Sequence, residues 1–159
     1  MRQSPALAAS EHPMVACGAS PPGVILWCYS CEASLLGSRQ MRWALAQQLQ
    51  SLGGGEIERQ ALLLGVTELV TNTVRHSSPS AALLRVVIWQ QGDERWLEIR
   101  DDGAPFDPVL HGLLAQRITA SSRGMRYSGY GLLLVANLLP ALSYRRLAEV
   151  NCYRLPLVA

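Results

Sequence analysis

The chain is poor in charge and has no long apolar run, and both deficits exclude classes of protein. Only 16% of its 159 residues are charged, and the formal net charge is +2. It has no block of like charges and no interleaving of basic with aromatic residues, which argues against nucleic-acid binding. No apolar stretch reaches the roughly 18 residues that cross a bilayer, and the first residues lack the long apolar core of a secretory signal. We therefore expect a cytoplasmic protein that contacts neither nucleic acid nor membrane.

Cysteine is also scarce, with four residues, and only one pair has the C-x-x-C spacing of a redox or zinc site. That pair, Cys28 and Cys31, lies in a run of apolar and aromatic residues typical of a strand. Side chains three apart on a strand point to opposite faces, and the sequence has no second such pair. We interpret the cysteines as buried or incidental rather than as a metal or redox site.

The length fits one domain with a substantial core. Residues 1–22 are rich in Ala, Ser and Pro and show no periodicity, so we predict a flexible tail before a single domain at 23–159. The predicted elements are a strand of buried composition at 24–31, helices at 34–52 and 56–76, strands at 83–89 and 96–100, a helix at 132–139, and strands at 142–146 and 150–157.

The second helix carries a carboxylate and a carboxamide, Glu68 and Asn72, four residues apart and therefore on one face. They share a stripe with Ile57, Ala61 and Leu64, and the other side of the helix is apolar too, which predicts a mostly buried helix. Buried polar side chains need hydrogen bonds, a charged partner or a metal. The pair either bridges neighbouring backbone or forms one wall of a metal–nucleotide pocket, and this helix alone does not decide between the two.

Two glycine-containing segments supply further parts of a nucleotide pocket. Asp101, Gly103 and Asp107 follow a predicted strand directly. There a carboxylate can accept a hydrogen bond and glycine lets a ligand approach the backbone, although an ordinary Asx or glycine turn has the same pattern. Gly129-Tyr130-Gly131 opens a helix, whose free N–H groups and positive dipole end suit phosphate. Residues 109–128 between them form a long loop, of a length often found in lids.

In this order the segments resemble the motifs of the GHKL (Bergerat-fold) ATP-binding family, and within it the short anti-sigma-factor serine/threonine kinases. Residues 68–76, E-L-V-T-N-T-V-R-H, are similar to the N box. Residues 101–107, D-D-G-A-P-F-D, are similar to the first glycine box, and residues 129–135, G-Y-G-L-L-L-V, to the second. The resemblance covers about Val24 to Leu157. It implies an α/β fold, more fully an α+β two-layer sandwich, in which a mixed, mainly antiparallel sheet carries three helices on one face.

The resemblance also implies a role for each matching residue. Glu68 would be the general base that activates the attacking hydroxyl or water, and Asn72 would hold Mg²⁺ at the phosphates of ATP. Asp101, with Gly103 beside it, would accept a hydrogen bond from the adenine amino group. The residues expected to bind the nucleotide at the second glycine box, with the two glycines at its phosphates, are Gly129, Tyr130, Gly131 and Leu132.

Other positions depart from the family pattern or receive no catalytic role. Pro105 stands where the first glycine box usually has its second glycine. Because proline has a fixed φ and no backbone N–H, the turn must be of a type that needs neither a free φ nor a donor at this position. The lid has little glycine compared with the histidine-kinase type. His76 resembles a histidine that often ends the N box, and we interpret it as structural. Asn151 lies where the last hairpin of the family often carries a polar residue.

We therefore predict an ATP-dependent regulatory kinase that acts by partner switching. It would phosphorylate a serine or threonine of a small anti-sigma-factor antagonist protein and sequester a sigma factor or similar regulator, and it could form a homodimer. The alternative is a scaffold of the same fold that binds nucleotide and a protein but transfers nothing. We do not expect the chain to be part of a larger GHKL ATPase, because it has no transducer domain. We also do not expect a complete sensor histidine kinase, because no phosphoacceptor-histidine helix precedes the domain.

Overall fold

The computed structural model describes residues 23–77, 83–111 and 130–157. The elements and their order are those predicted: β1 (Val24–Glu32), α1 (Leu35–Leu52), α2 (Glu56–Ser77), β2 (Leu83–Gln91), β3 (Glu94–Asp101), α3 (Tyr130–Leu138), β4 (Ser143–Leu147) and β5 (Val150–Leu157). A single helical turn at 108–111 follows β3. Within these ranges no helix is both long and apolar enough to span a membrane.

The five strands form one sheet in the order β1-β2-β3-β5-β4, and all four neighbouring pairs are antiparallel. β2 and β3 are joined by a tighter turn than the predicted link at 90–94, because both strands continue to Gly92-Asp93, where Gly92 has a φ of 59°. β5 lies between β3 and β4, so that Asp101 of β3 pairs with Asn151 of β5, which also pairs with Arg146 of β4. This register places three polar residues side by side across the sheet.

All three helices lie against one face of the sheet, which confirms the predicted two-layer sandwich. α1 begins at the N-cap Ser34, whose Oγ accepts a hydrogen bond from Gly37 N at 3.0 Å. It ends at Gly53, whose φ of 82° suits glycine. The side chains that fill the core between helices and sheet are Met41, Leu45, Leu49, Leu63, Val66, Leu69, Val70, Leu84, Val86, Ile88, Leu97, Ile99, Val135, Leu139, Leu142, Tyr153 and Leu155.

Two predictions of burial were wrong. β1 has the composition of a buried strand, yet it lies at the edge of the sheet, with Val24 69% and Ile25 47% exposed. α2 is not buried all round either, since Ile57 is 82% and Leu64 43% exposed. Composition reports how apolar a segment is but not whether a neighbour covers it. Within the described residues, the stripe of α2 that carries Glu68 is therefore exposed in its first half, at Ile57 and Leu64.

The opposite face of the sheet carries an ion cluster centred on Glu98, which is fully buried. The carboxylate of Glu98 accepts hydrogen bonds from Arg100 Nε at 2.5 Å and from Arg154 Nη2 at 2.6 Å. The guanidinium of Arg154 also lies over the ring of Trp89, 5.0 Å from its centroid, and Trp89 stacks on Trp96. Because both arginines pair with one carboxylate, the desolvation cost of burying Glu98 is offset on two sides.

Candidate functional site

Glu68, Asn72 and Gly131 meet where α2 passes the start of α3. Glu68 and Asn72 lie one turn apart on α2, and both side chains are half-buried. A Cβ built on Gly131 would stand 2.8 Å from Glu68 Oε2 and 3.0 Å from Asn72 Nδ2. A side chain at residue 131 would therefore collide with both. The structure thus brings together the N box and the second glycine box, and it gives a steric reason for glycine at this position.

Asn72 has a buried amide that lacks a partner. Its Nδ2 is inaccessible to solvent and, among the described residues, has no hydrogen-bond partner. Such an orphaned group is costly unless something else satisfies it. Within the described residues this nitrogen does not bridge to neighbouring backbone, which was the alternative interpretation of the pair, but the observation does not extend to Asn72 Oδ1 or to Glu68. The orphaned nitrogen is a hydrogen-bond donor that suits an acceptor such as a phosphate oxygen, whereas the amide oxygen Oδ1 is the atom of Asn72 that would hold a magnesium ion.

Asp101, the last residue of β3, is fully buried and presents one unused oxygen. Its Oδ1 accepts hydrogen bonds from Gly103 N at 2.9 Å and from Asn151 Nδ2 at 2.8 Å. Its Oδ2 is buried and has no hydrogen-bond partner within the described part of the chain. Burial raises the pKa of this carboxyl above its ordinary value, and the hydrogen bonds from Asn151 and Gly103 oppose the rise. The free oxygen can accept one hydrogen bond from a ligand.

The turn after β3 is held by donors from the last hairpin. Arg146 Nη1 donates to Gly103 O at 2.9 Å, Asn151 Nδ2 to Ala104 O at 2.8 Å, and the Tyr153 hydroxyl to Phe106 O at 3.2 Å. These side chains hold the carbonyls of three of the four residues from 103 to 106, and none of these bonds requires a backbone N–H at Pro105. Proline is therefore tolerated where the family pattern has glycine.

Asp107 has a local structural role. Its Oδ1 accepts hydrogen bonds from the backbone N–H groups of Val109 at 3.0 Å and Leu110 at 3.1 Å, so it caps the helical turn at 108–111. Asp107 accordingly ends the glycine-box turn and starts the next segment. Its carboxylate satisfies backbone donors, as an ordinary Asx cap does.

Tyr153 connects the Asp101 side of the site to α2. Burial and the nearby Asp101 carboxylate raise the pKa of its hydroxyl, and Thr73 of α2 partly offsets the rise. Thr73 is the residue after Asn72, and it is 1% exposed. Two buried side chains, Tyr153 and Thr73, thus lie between the predicted acceptor and the predicted metal-binding amide. They lie at one end of the sheet, between α2, α3 and the ends of β3 and β5.

Several predicted site features fall partly or wholly outside the described residues. Gly129 and all but the first turn of the predicted lid are among these, as the described chain stops at residue 111 and resumes at 130. The side chains of His76 and Tyr130 are outside it too. Leu132 lies on the first turn of α3 and is half-buried.

Sequence reasoning missed the polar residues of the last hairpin. Asn151 received no role, and Tyr144 and Arg146 were not considered, yet all three surround the first glycine box. Asn151 is fully buried on the helix-facing side of β5, where the alternation of a strand would place an apolar residue. A polar residue at an inward position was the one available signal.

The positions of the two cysteines of the C-x-x-C sequence, Cys28 and Cys31, follow from the geometry of β1. Cys31 faces the helices, where its Sγ donates to Gly37 O at 3.3 Å and burial raises the pKa of the thiol to about 11. Cys28 points to the other side of β1 and accepts a hydrogen bond from Arg85 Nε at 3.2 Å. The prediction that the two thiols lie on opposite faces is confirmed, although Cys28 is exposed rather than buried.

A model of the histidine kinase-like ATPase domain matches residues 31–156, which is most of the chain. The chain belongs to the histidine kinase-like ATPase family. The match spans the N box and both glycine boxes, so the family is assigned on the region that contains the site. No protein of curated function matches this ATPase-family chain by sequence.

Solved structures support the fold of this histidine kinase-like ATPase domain. The RsbU and RsbW domains of Rv1364c from Mycobacterium tuberculosis align with 82% of the chain at 15% identity and a TM-score of 0.54. The chain spans only 32% of that protein. The SiaB–SiaC complex from Pseudomonas aeruginosa aligns with 84% of the chain and 91% of its own matched chain, at 17% identity and a TM-score of 0.53. At these identities the likeness establishes the architecture.

Proposed function

We propose that this domain is an ATP-dependent regulatory protein kinase that transfers the γ-phosphoryl group of ATP to a serine or threonine hydroxyl of a small antagonist protein. The observation that carries the proposal is the meeting of Glu68, Asn72 and Gly131 at the start of α3. The carboxylate of Glu68, the amide of Asn72 and the N-terminal end of a helix lie around one point, and this supports the roles of general base and metal ligand for the two side chains. The family assignment supports the use of ATP, and the resemblance to short anti-sigma-factor kinases supports a protein substrate.

Phosphoryl transfer depends mainly on positioning and on stabilising charge, so this set of groups is sufficient for it. The hydroxyl oxygen of the substrate attacks the γ-phosphorus and forms a new O–P bond. The bond to the β,γ-bridging oxygen breaks, and ADP leaves with that electron pair. Glu68 takes the hydroxyl proton. Asn72 would hold Mg²⁺, which would supply positive charge at the phosphates, and the N–H groups at the start of α3 would supply more.

Adenine recognition is assigned to Asp101. Its free Oδ2 accepts the hydrogen bond of the exocyclic amino group, while Gly103 at the turn leaves room beside the base. Because Oδ2 is buried, a ligand that offers it no hydrogen-bond donor leaves it unsatisfied at a cost in binding free energy, so the contact favours a ligand with an amino group at this position. The predicted regulatory setting follows from the same resemblance: the phosphorylated antagonist would lose its hold on the kinase, which would then bind a sigma factor or similar regulator.

The test begins with binding and proceeds to transfer. Calorimetric titration with ATP, with and without Mg²⁺, should show magnesium-dependent binding to the wild type. Small antagonist-type proteins encoded by the same genome are then purified singly and incubated with the chain and ATP labelled at the γ-phosphate. A phosphoserine or phosphothreonine product supports the kinase. Absence of any ATP binding would overturn the proposal. ATP binding together with a stable complex with such a protein, but no phosphoprotein, would identify the scaffold instead.

Glu68→Gln separates catalysis from binding. Loss of a general base costs about 100-fold to 10,000-fold in rate, so transfer should fall by at least about 100-fold while ATP affinity is retained. Glu58→Gln is the matched control, because it makes the same change ten residues earlier on α2, about 15 Å along the helix. Equal transfer rates in the Glu68 and Glu58 variants would mean that Glu68 is not the base.

A further inference from the structure

Three polar residues on adjacent strands form a row at the end of the sheet that holds Asp101. The register pairs Arg146 of β4 with Asn151 of β5, and Asn151 with Asp101 of β3. All three face the helices. The side chains follow the same order as the backbone, so that Arg146 contacts Asn151 and Asn151 contacts Asp101.

The orientation of the Asn151 amide is fixed by its neighbours. Arg146 Nη1 donates to Asn151 Oδ1 at 2.8 Å, and the Tyr144 hydroxyl donates to the same oxygen at 2.9 Å. An oxygen that receives two donors must be the carbonyl of the amide, so the NH₂ group points the other way. It donates to Asp101 Oδ1 and to Ala104 O, each at 2.8 Å. A flipped Asn151 would set donor against donor at Arg146 and acceptor against acceptor at Asp101.

In this arrangement one carboxylate oxygen of Asp101 accepts two hydrogen bonds, and the other is left to accept one from a ligand. Oδ1 already accepts from Asn151 and from Gly103 N, so it has no room for a proton or a ligand. Oδ2 is the remaining acceptor and is buried. Donors at Oδ1 favour the ionised carboxylate, and an ionised carboxylate accepts hydrogen bonds but cannot donate them.

We propose that Arg146 is a positioning residue that acts through Asn151 to keep Asp101 an acceptor, and so makes the site select a 6-amino purine over a 6-oxo purine. The inference rests on the proposed function, since it takes Asp101 to contact the base. A 6-amino group donates to Oδ2. A 6-oxo group presents an acceptor there, and only a protonated Asp101 could bind it.

The other groups around Asp101 do not replace Arg146. Asp102, next along the chain, raises the pKa of Asp101, and the nearby Tyr153 hydroxyl of β5 lowers it. Tyr144 of β4 is neutral at ordinary pH, since burial raises the pKa of its hydroxyl. Thr73, the α2 residue beside Tyr153, does not titrate. Arg146 is therefore the cation of this group among the described residues. Besides its hydrogen bonds to Asn151 and Gly103 O, it forms an ion pair with the exposed Glu149 at 3.1 Å.

The experiment compares Arg146→Met with Arg145→Met. Arg145 is the preceding residue on β4, is exposed and pairs with Cys152 on the opposite face, so its substitution controls for loss of one charge from the hairpin. Kd values for ATP and for inosine triphosphate are measured for the wild type and both variants between about pH 5 and pH 8. Loss of Arg146 should raise the pKa of Asp101, so we expect the ATP preference of Arg146→Met to fall below that of the wild type as the pH is lowered, by about tenfold for each unit by which the pKa rises.

Selectivity distinguishes positioning from a merely structural role. If Arg146 only braces the turn, its loss weakens both nucleotides equally and leaves their ratio as in the wild type, and the proposal is then wrong. Arg146→Lys keeps a donor near Asn151 and should restore part of the preference. Arg145→Met should match the wild type throughout, and a shared loss in both variants would also contradict the proposal.

A measurement without nucleotide keeps this inference separate from the kinase proposal. The carboxyl ¹³C signal of Asp101 is followed against pH in the free protein. Its midpoint should rise in Arg146→Met and stay unchanged in Arg145→Met. If the midpoint rises but the wild type binds no ATP, the proposed function fails while the role of Arg146 toward Asp101 stands. If the wild type binds ATP and the midpoint does not move, the inference fails alone.

Discussion

Replacing Gly131 with alanine should impair phosphoryl transfer without destabilising the protein. The added Cβ would stand 2.8 Å from Glu68 Oε2 and 3.0 Å from Asn72 Nδ2. Real Cβ atoms essentially never approach another heavy atom to 2.8 Å, so something must move. Oε2 is the far end of a flexible side chain, and Nδ2 ends another, so both can withdraw with little cost in folding energy.

The size of the effect follows from how far the carboxylate must move. An ordinary van der Waals contact begins near 3.4 Å, so Oε2 must retreat by roughly half an ångström. A misplacement of about 1 Å can cost about 100-fold in rate, and we expect transfer to fall by about tenfold or more. Alanine is the better helix former by up to about 1 kcal/mol, so the free energy of unfolding should be unchanged or slightly raised.

The assay pairs Gly131→Ala with Gly65→Ala. A Cβ on Gly65, also on a helix, would stand 2.7 Å from Leu139 Cγ and close to both of its methyl groups. Leu139 is buried in the core and has little room to withdraw, so this variant should lose roughly 1–3 kcal/mol of stability. Chemical denaturation measures both free energies of unfolding, and labelled ATP with the phosphoacceptor protein measures both rates. Wild-type transfer by Gly131→Ala would refute the close approach of Glu68 to α3 as a feature of the active state.

Two further predictions concern buried carboxylates. Glu98→Gln should destabilise the protein by about 3 kcal/mol, because two guanidinium groups lose their shared counter-charge; a loss below about 1 kcal/mol on urea denaturation would mean that the cluster is solvated. Asp101→Asn should stabilise the protein at neutral pH, because the raised pKa of Asp101 shows that a buried charge there costs folding free energy. This cost is absent below about pH 4, where the carboxyl is protonated in both the folded and the unfolded state. In denaturation experiments this gain in the free energy of unfolding should vanish on acidification, and a stability difference that does not change with pH would contradict the reasoning. The affinity for ATP should also fall by about 10-fold to 100-fold.

The elements of the fold could be predicted because their signals are local. The α1 stripe of Met41, Leu45 and Leu49 repeats with the period of a helix, and those residues are buried as the pattern requires. Gly53 marks a helix end because glycine readily adopts a positive φ, and Pro140 marks another because proline has a fixed φ and no backbone N–H. These signals do not depend on what the segment later contacts.

Burial could not be predicted in the same way, because it depends on neighbours. Val24 and Ile25 are as apolar as core residues, but β1 is at the edge of the sheet and no described element covers that end. Ile57 fits the apolar pattern of α2, but it lies in the first turn and projects into solvent. Strand order and helix placement decide such cases.

By itself the sequence determined the elements, the order of the motifs and the candidate site residues. Glu68, Asn72, Asp101 and the glycines are indicated by their residue type and their spacing along the chain. Only the tertiary structure decided that Gly131 lies against Glu68 and Asn72, since these positions are more than 50 residues apart along the chain. It alone showed that Arg146 contacts Asn151 and that Asn151 contacts Asp101, because a cross-strand pair is set by sheet register. Local sequence fixes backbone preference, whereas contacts between distant segments depend on how the chain closes on itself.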